Sequence, residues 1–374
     1  MKSIISLLLL LICSVYNVTP QCMTFRDFGF SIGVLPPGQD NSITDVSGVL
    51  VGHFTLNKDK NIRTGVTAII PHPGNNFMEK VPAAVYVANG FGKLTGSTQI
   101  QELGNLETPI ILTNTLSVPV AAEALIEYSL KNNENIRSVN PVVGETNDGY
   151  LNDIRGLHIK KRHVITAIKN ASSNKVIQGS IGAGTGTVCF GYKGGIGTSS
   201  RKLPANMNSY TVGVLVQTNF GGILQIDGVP VGEELNQYYL ADNLKQADGS
   251  CMIIVATDAP LDSRNLLRLA KRSMFGLART GGISSNGSGD YVIAFSTANK
   301  ISYRSDSPVD TIATLRNDQM SSLFLAVIEA TEEAIINSLF TAKTTMGYRD
   351  HKIEKLPIEK VLNVMKKYNR IPSR

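Results

Sequence analysis

Gly249-Ser250 is the dipeptide whose residue types and setting carry the clearest chemistry in the chain. A polar stretch from Asn243 to Gly249 turns there into an apolar one, Ser250-Cys-Met-Ile-Ile-Val-Ala256. A serine that opens a buried strand directly after a loop glycine has the parts of a self-cleavage site. Its hydroxyl can attack the carbonyl of Gly249, and the resulting ester can be hydrolysed by water. Gly249 lacks a Cβ and so tolerates the close approach that this needs. The product is a serine with both a hydroxyl and a free α-amine. An amine with a pKa of about 8 can serve as the base for its own neighbouring nucleophile. Alone, Gly-Ser before a strand is more often a simple turn, so its surroundings decide.

Three polar clusters near strand ends supply those surroundings. Gly144-Glu-Thr-Asn-Asp-Gly-Tyr150 puts the Glu145 carboxylate and the Asn147 amide in one turn. Thr218-Asn219 closes an apolar run before Phe220-Gly-Gly222, and Ser288-Gly-Asp290 leads into a strand. Each of them is also ordinary turn chemistry. The 5 histidines, His53, His72, His158, His163 and His351, show no metal-ligand spacing with one another or with Cys or Glu, which argues against a zinc enzyme. No Gly-x-Ser-x-Gly elbow lies between a strand and a helix. The glycine-rich runs Gly179 to Gly186 and Gly194 to Arg201 fit neither a dinucleotide fingerprint nor a phosphate loop, and Leu94 follows Gly92-Lys93 where Ser or Thr would be needed. They read as tight turns and close packing around a cleft, and no metal or organic cofactor is expected.

With 374 residues, 42% apolar and 18% charged, the chain has material for one large globular domain or two smaller ones. The formal charge of +6 is spread over dispersed Lys and Arg, with short runs such as Lys160-Lys161-Arg162. That is a solvated surface, not a nucleic-acid footprint. Lys2 followed by Leu7 to Leu11 and then Ile12-Cys13-Ser14 resembles a secretory signal peptide. Residues 1–22 are therefore expected to be a signal and leader, the protein secreted or periplasmic, and no segment stably inserted in a membrane. Cys22, Cys189 and Cys251 then remain, an odd number that makes no disulfide framework, and Cys251 reads as a small buried hydrophobe. Of the three sequons, Asn17-Val-Thr19, Asn170-Ala-Ser172 and Asn286-Gly-Ser288, the third is expected in the interior.

The hydrophobic periodicity predicts strands at 49–55, 65–70, 84–88, 109–113, 164–167, 210–216, 223–226, 250–256 and 291–296. It predicts helices at about 119–132, 262–280 and 319–340, and a last one around 358–365. The polar stretch 232–249 is the best linker. It separates a long first segment from a short second one whose apolar residues need the first to cover them. The two read as parts of one domain.

Further motifs run in order along the chain: Ile43-Thr-Asp-Val-Ser-Gly-Val-Leu-Val-Gly-His53, Asn89-Gly-Phe-Gly-Lys93, Glu102 to Ile110, Gly182-Ala-Gly-Thr-Gly186, Lys193 to Arg201, Val255 to Leu261 and Ala294-Phe-Ser-Thr297. Together with Gly249-Ser250 they make the chain resemble the family of self-processing L-aminopeptidase/D-Ala-esterase-amidases and β-peptidyl aminopeptidases, which use an N-terminal serine nucleophile. The resemblance implies an α+β fold, an αββα sandwich built from a precursor that cuts itself into segments 23–249 and 250–374 of one domain. It implies Ser250 as nucleophile and Ser288 and Asp290 as supporting hydroxyl and carboxylate, with Asp290 one methylene shorter than the glutamate of the family. Asn219 takes the place of an amide donor to the oxyanion, and Glu145 that of the carboxylate that holds the substrate amine. Either Tyr150 or Asn147 occupies the position of the family's tyrosine. The implied activity removes the N-terminal residue from small peptides, amides or esters with a free amine, without a cofactor and in a homo-oligomer, a tetramer. Two alternatives stand beside it: an acyl transferase similar to ornithine acetyltransferase, which cuts before threonine, and an uncut, non-catalytic binding protein on the same scaffold. The sequence leaves open whether an L-, D- or β-amino acid is removed.

Overall fold

Two β-sheets lie face to face between two layers of helices. The computed structural model describes residues 23–238, 240 and 249–372, so the expected leader and residues 241–248 of the expected linker fall outside the described residues. The first sheet has the order Leu50–Lys58, Ile62–Ile70, Ile110–Asn114, Val142–Thr146 and Leu94–Thr95. The main path of the second runs Ile196–Lys202, Thr211–Asn219, Ser250–Thr257, Gly289–Ser296, Glu79–Gly90 and Ile301–Ser302. Strands from before and after Gly249-Ser250 thus share one ladder.

Side-chain alternation explains the layering. Along Ser250–Thr257, Cys251, Ile253 and Val255 face the helices Ser263–Arg279 and Met320–Phe340, while Met252, Ile254 and Ala256 face the first sheet. A strand buried on both faces needs a nearly continuous apolar run, which is what this segment has. On the far side, Val118–Lys131 and Lys161–Lys169 pack on the outer face of the first sheet through Leu125, Val164 and Ile168 against Val66, Ile111 and Val143. The result is the αββα sandwich that the resemblance implies.

Helix Met320–Phe340 is buried on nearly every face, as its composition requires. It also buries Glu329 and Glu333, which pair with the fully buried Arg201 at 3.1 and 2.7 Å. Arg26 holds Glu333 from the other side at 2.6 Å.

The structure corrects two expectations. Residues 164–167 belong to helix Lys161–Lys169: the three β-branched residues in Val164-Ile-Thr-Ala167 mimic a strand, but Val164, Ala167 and Ile168 are buried at helical spacing. Residues 223–226 form a loop. Its amides are satisfied by Gly281 and Thr280, at 3.0 Å from Ile223 and 2.9 Å from Gln225, and not by a neighbouring strand. Besides several two-residue strands, two longer ones were not anticipated, Val142–Thr146 and Ile196–Lys202. The second is rich in hydroxyls and is buried only because each finds a partner, as when Ser199 donates to the carbonyl of Ala330 at 2.7 Å.

Gly276 marks the closest approach of the two helices of the outer layer. A Cβ there would lie 2.5 Å from the Ile328 carbonyl oxygen and 2.7 Å from Thr331 Cβ. Gly276→Val is therefore expected to destabilise the fold by about 1–3 kcal/mol, the usual cost of overpacking. The readout is a lowered midpoint of thermal or urea unfolding.

Candidate active site

Ser250 opens the central strand of the second sheet with a neighbour on each side. Asn219 lies directly opposite it in the antiparallel pair, and Gly289 beside it in the parallel pair. Directly opposed residues project to the same face, so the Ser250 hydroxyl and the Asn219 amide both point between the sheets. Asn219 Oδ1 accepts a hydrogen bond from the Val188 amide at 2.9 Å, which leaves the NH2 end of the side chain to serve the cavity.

The Gly289 N–H donates to Ser250 Oγ at 3.2 Å and to the carbonyl oxygen of Gly249 at 3.2 Å. That carbonyl is the one Ser250 would attack. The Gly289 N–H is thus a donor on the oxygen that would gain charge in a tetrahedral intermediate, and the Asn219 amide, on the other side of Ser250, is the candidate for a second donor. Sequence reasoning named Asn219 and missed Gly289, because a backbone donor has no residue-type signal.

A cavity of about 720 Å³ opens over the serine. Gly249, Ser250, Asn219, Glu145, Asn147 and Tyr150 line it. Six of the residues singled out from the sequence are thereby brought together. Phe91, Phe190 and Phe220 supply apolar wall, and Lys93 and Thr115 flank Glu145.

Glu145 lies near the end of strand Val142–Thr146 and is buried. Its Oε1 accepts from the Lys93 amide at 3.0 Å, and its Oε2 from the Thr115 hydroxyl. The Lys93 ammonium stands 4.0 Å away. Burial pushes the Glu145 pKa above the usual carboxylate value, against the pull of Thr115 and Lys93. A desolvated carboxylate on a cavity wall is a site for a cation. Thr115 had no signal of its own in the sequence. Lys93 was visible only as the last residue of Asn89-Gly-Phe-Gly-Lys93.

Ser288 and Asp290 do not line the cavity. They are buried behind it, with the Ser288 hydroxyl donating to Asp290 Oδ1 at 2.8 Å. The shorter aspartate therefore still reaches its serine. Asp290 pairs with Cys251 in the sheet and shares the helix-side face with Val292 and Ala294. Its carboxylate is thus on the opposite face from the Ser250 hydroxyl. Asp290 Oδ2 is buried without a hydrogen-bond partner, and burial raises the pKa of the group.

Asn147 is exposed at the rim, where its Oδ1 accepts from the Gly149 amide at 2.9 Å. The half-exposed Tyr150 ring stacks on His351, 4.4 Å between centroids. The third sequon is only half interior: Asn286 is exposed, whereas Ser288 is buried. Cys251 is a buried thiol whose pKa burial pushes well up, as befits a small hydrophobe.

The glycine-rich segments pack backbone on backbone, as expected. They are fastened by the fully buried Lys193, which donates to the carbonyls of Gly184 and Gly194 at 2.8 Å each.

Residues 41–353 match the model of peptidase family S58. The chain belongs to that family. It is 41% identical over 357 residues to the β-peptidyl aminopeptidase BapA of Sphingosinicella microcystinivorans, with 90% of each chain covered. The crystal structure of the PH0078 protein from Pyrococcus horikoshii OT3 superposes with a TM-score of 0.88 at 50% identity, covering 93% of this chain and 100% of that one. The L-aminopeptidase D-Ala-esterase/amidase of Ochrobactrum anthropi, described as a prototype for the serine aminopeptidases and a new variant among the Ntn hydrolase fold, superposes with a TM-score of 0.86 at 34% identity, covering 92% and 98%. This family member is a hydrolase of the aminopeptidase type with a serine nucleophile. The match places it with aminopeptidases, away from the acetyltransferase and binding-protein alternatives.

Two outcomes are expected from this geometry. Asn219→Ala removes one of the two donors and should lower kcat by about a hundredfold or more, with a smaller effect on KM, in steady-state kinetics on processed enzyme. An amine-binding Glu145 must be ionised, and burial sets its pKa above the ordinary value of 4.5 in the free protein. Below the limb set by the Ser250 α-amine, whose ordinary pKa is about 8, kcat/KM should therefore fall more steeply at a pH that is still above 4.5, and in kcat this second loss should lie lower, because the bound ammonium draws the carboxylate pKa back down.

Proposed function

We propose that the chain cuts itself between Gly249 and Ser250, and that the new N-terminal serine removes β-amino acids from the amino ends of small peptides and amides. In the first step Ser250 Oγ attacks the Gly249 carbonyl, polarised by the Gly289 N–H, and water hydrolyses the ester. Segments 23–249 and 250–374 remain joined through the shared sheet. In each later turnover Glu145 holds the substrate ammonium, which confines cleavage to the first residue. The Ser250 hydroxyl attacks, its own α-amine takes the proton, and Ser288 and Asp290 stabilise the resulting ammonium. Gly289 and Asn219 receive the oxyanion, with Tyr150 or Asn147 beside them at the rim. Water then releases the acyl group. The base arises only on cleavage, so the uncut chain is inactive as a peptidase.

The observation that carries the β preference is the crowding at Gly249. A Cβ added there would run into the backbone carbonyl of Asn219 and lie 2.5 Å from Phe220 Cα. A substrate whose carbonyl takes the place of the Gly249 carbonyl meets the same wall. An L-α-amino acid carries its side chain on that carbon, whereas a β-amino acid has an unsubstituted methylene there. The similarity to a protein named a β-peptidyl aminopeptidase supports the same choice. Export directed by residues 1–22 and assembly into a homo-oligomer belong to this proposal.

Denaturing electrophoresis with N-terminal sequencing should give two fragments, the smaller beginning at Ser250, and one intact inactive chain for Ser250→Ala. Processed enzyme should cleave β-alanyl-p-nitroanilide at least tenfold more efficiently than L-alanyl-p-nitroanilide. Equal rates on the two would contradict the steric reading.

A further inference from the structure

Lys93 is out of place in a pocket that has only to bind an ammonium. Its side chain is 55% exposed, it lines the same cavity as Ser250, and its ammonium stands 4.0 Å from Glu145 Oε1. A cation at that distance repels the substrate amine that Glu145 is there to hold. The Phe91-Gly92-Lys93 turn also keeps it close by construction. Its Lys93 amide is bonded to Glu145, and a Cβ on Gly92 would lie 3.2 Å from Glu145 Oε1 and 3.3 Å from Gly289 Cα. The two opposite charges are therefore one unit, set beside the oxyanion donors.

Such a pair is complementary to a substrate that carries both charges itself. If the carbon that bears the ammonium also bears a carboxylate, Glu145 takes the first and Lys93 the second, and the repulsion becomes an attraction. The crowding at Gly249 requires a methylene next to the scissile carbonyl. A β-linked aspartyl residue has this constitution: the scissile carbonyl, an unsubstituted methylene, then a carbon with ammonium and carboxylate together.

We infer that the cavity is an isoaspartyl site, and that the enzyme removes β-linked L-aspartyl residues from the amino ends of peptides and amides. The inference rests on the β-amino-acid reading above and adds to it the role of Lys93 as the residue that selects a carboxylate. The chemistry is hydrolysis without a redox step. The Ser250 Oγ–carbon bond forms as the carbon–nitrogen bond breaks, and the serine proton passes through the α-amine to the leaving nitrogen. Water then cleaves the ester to give aspartate and restores the serine.

The test uses processed wild-type enzyme with L-aspartate β-p-nitroanilide and β3-homoalanyl-p-nitroanilide, which differ in having a carboxylate or a methyl on the amine-bearing carbon. The expected kcat/KM ratio favours the aspartyl compound at least tenfold. Lys93→Met should lower that ratio at least tenfold and Lys93→Arg should keep most of it. Appearance of the Ser250 fragment in both variants shows that they have folded. A wild-type ratio below one, or a ratio unmoved in Lys93→Met, while the β3-homoalanyl compound is cleaved, overturns the isoaspartyl inference and leaves the β-amino-acid reading standing. Failure on both β-linked compounds overturns both.

Discussion

The register of three strands is the constraint on which the site depends. Asn219, Ser250 and Gly289 stand side by side across the second sheet. No loop has to find this arrangement. It follows from pairing three strands whose apolar residues alternate between two buried faces. A slip of one residue in any of them would turn a whole row of Val and Ile out of one core and into the other, and the core forbids it. The alignment of nucleophile and donors is thus secured by packing far from the chemistry, along the full length of Thr211–Asn219 and Ser250–Thr257.

The same alternation separates the two tasks of the nucleophile. The Ser250 hydroxyl faces the space between the sheets, where the cavity and Glu145 are. Asp290, one residue past Gly289, faces the helices. Only the backbone nitrogen of Ser250, at the strand end, is placed to serve both sides once it is a chain terminus. An internal serine in this register would have a hydroxyl without a base. The second sheet carries Ser250, Asn219 and Gly289, and the first carries Glu145, so in the proposed mechanism one sheet supplies the nucleophile and oxyanion donors and the other the carboxylate that holds the amine. Gln217 ties the sheets together next to the site, donating to the Thr113 carbonyl at 3.2 Å and the Thr146 hydroxyl at 2.8 Å. Those are the ends of the two strands that present Thr115 and Glu145.

What the sequence made legible follows from the same physics. The strand after Ser250, the helix Ser263–Arg279 and the buried helix Met320–Phe340 are long and strongly periodic, and they are where they were expected. The side chains named for chemistry gather around one cavity or directly behind it. Ile196–Lys202 escaped because its burial depends on hydroxyl partners distant in sequence, such as Ala330 for Ser199, and periodicity does not register those. Val164 to Ala167 misled because four residues cannot distinguish a strand from one turn of helix. Gly289 escaped because its function lies in an N–H that every non-proline residue has. Lys93 was legible as part of a motif, but its meaning depends on the Glu145 carboxylate lying 4.0 Å away.

The electrostatics of the site explain why such an arrangement needs so large a core. Glu145, Asp290 and Asp148 are all buried, and burial raises the pKa of each. A carboxylate whose pKa is raised by folding favours the folded state most when protonated, and that contribution is lost as the pH rises through its folded value. Lys193 behaves in the opposite sense. Burial lowers its pKa to about 7, so its contribution is lost as the pH falls through that value, and Asp148, raised to about 7, is the acid that opposes it. Near neutrality the protein thus holds desolvated ionisable groups in its interior at the expense of stability. In the proposed mechanism the substrate ammonium adds a second cation to the one that Lys93 already holds 4.0 Å from Glu145, and so offsets part of the cost of burying that carboxylate.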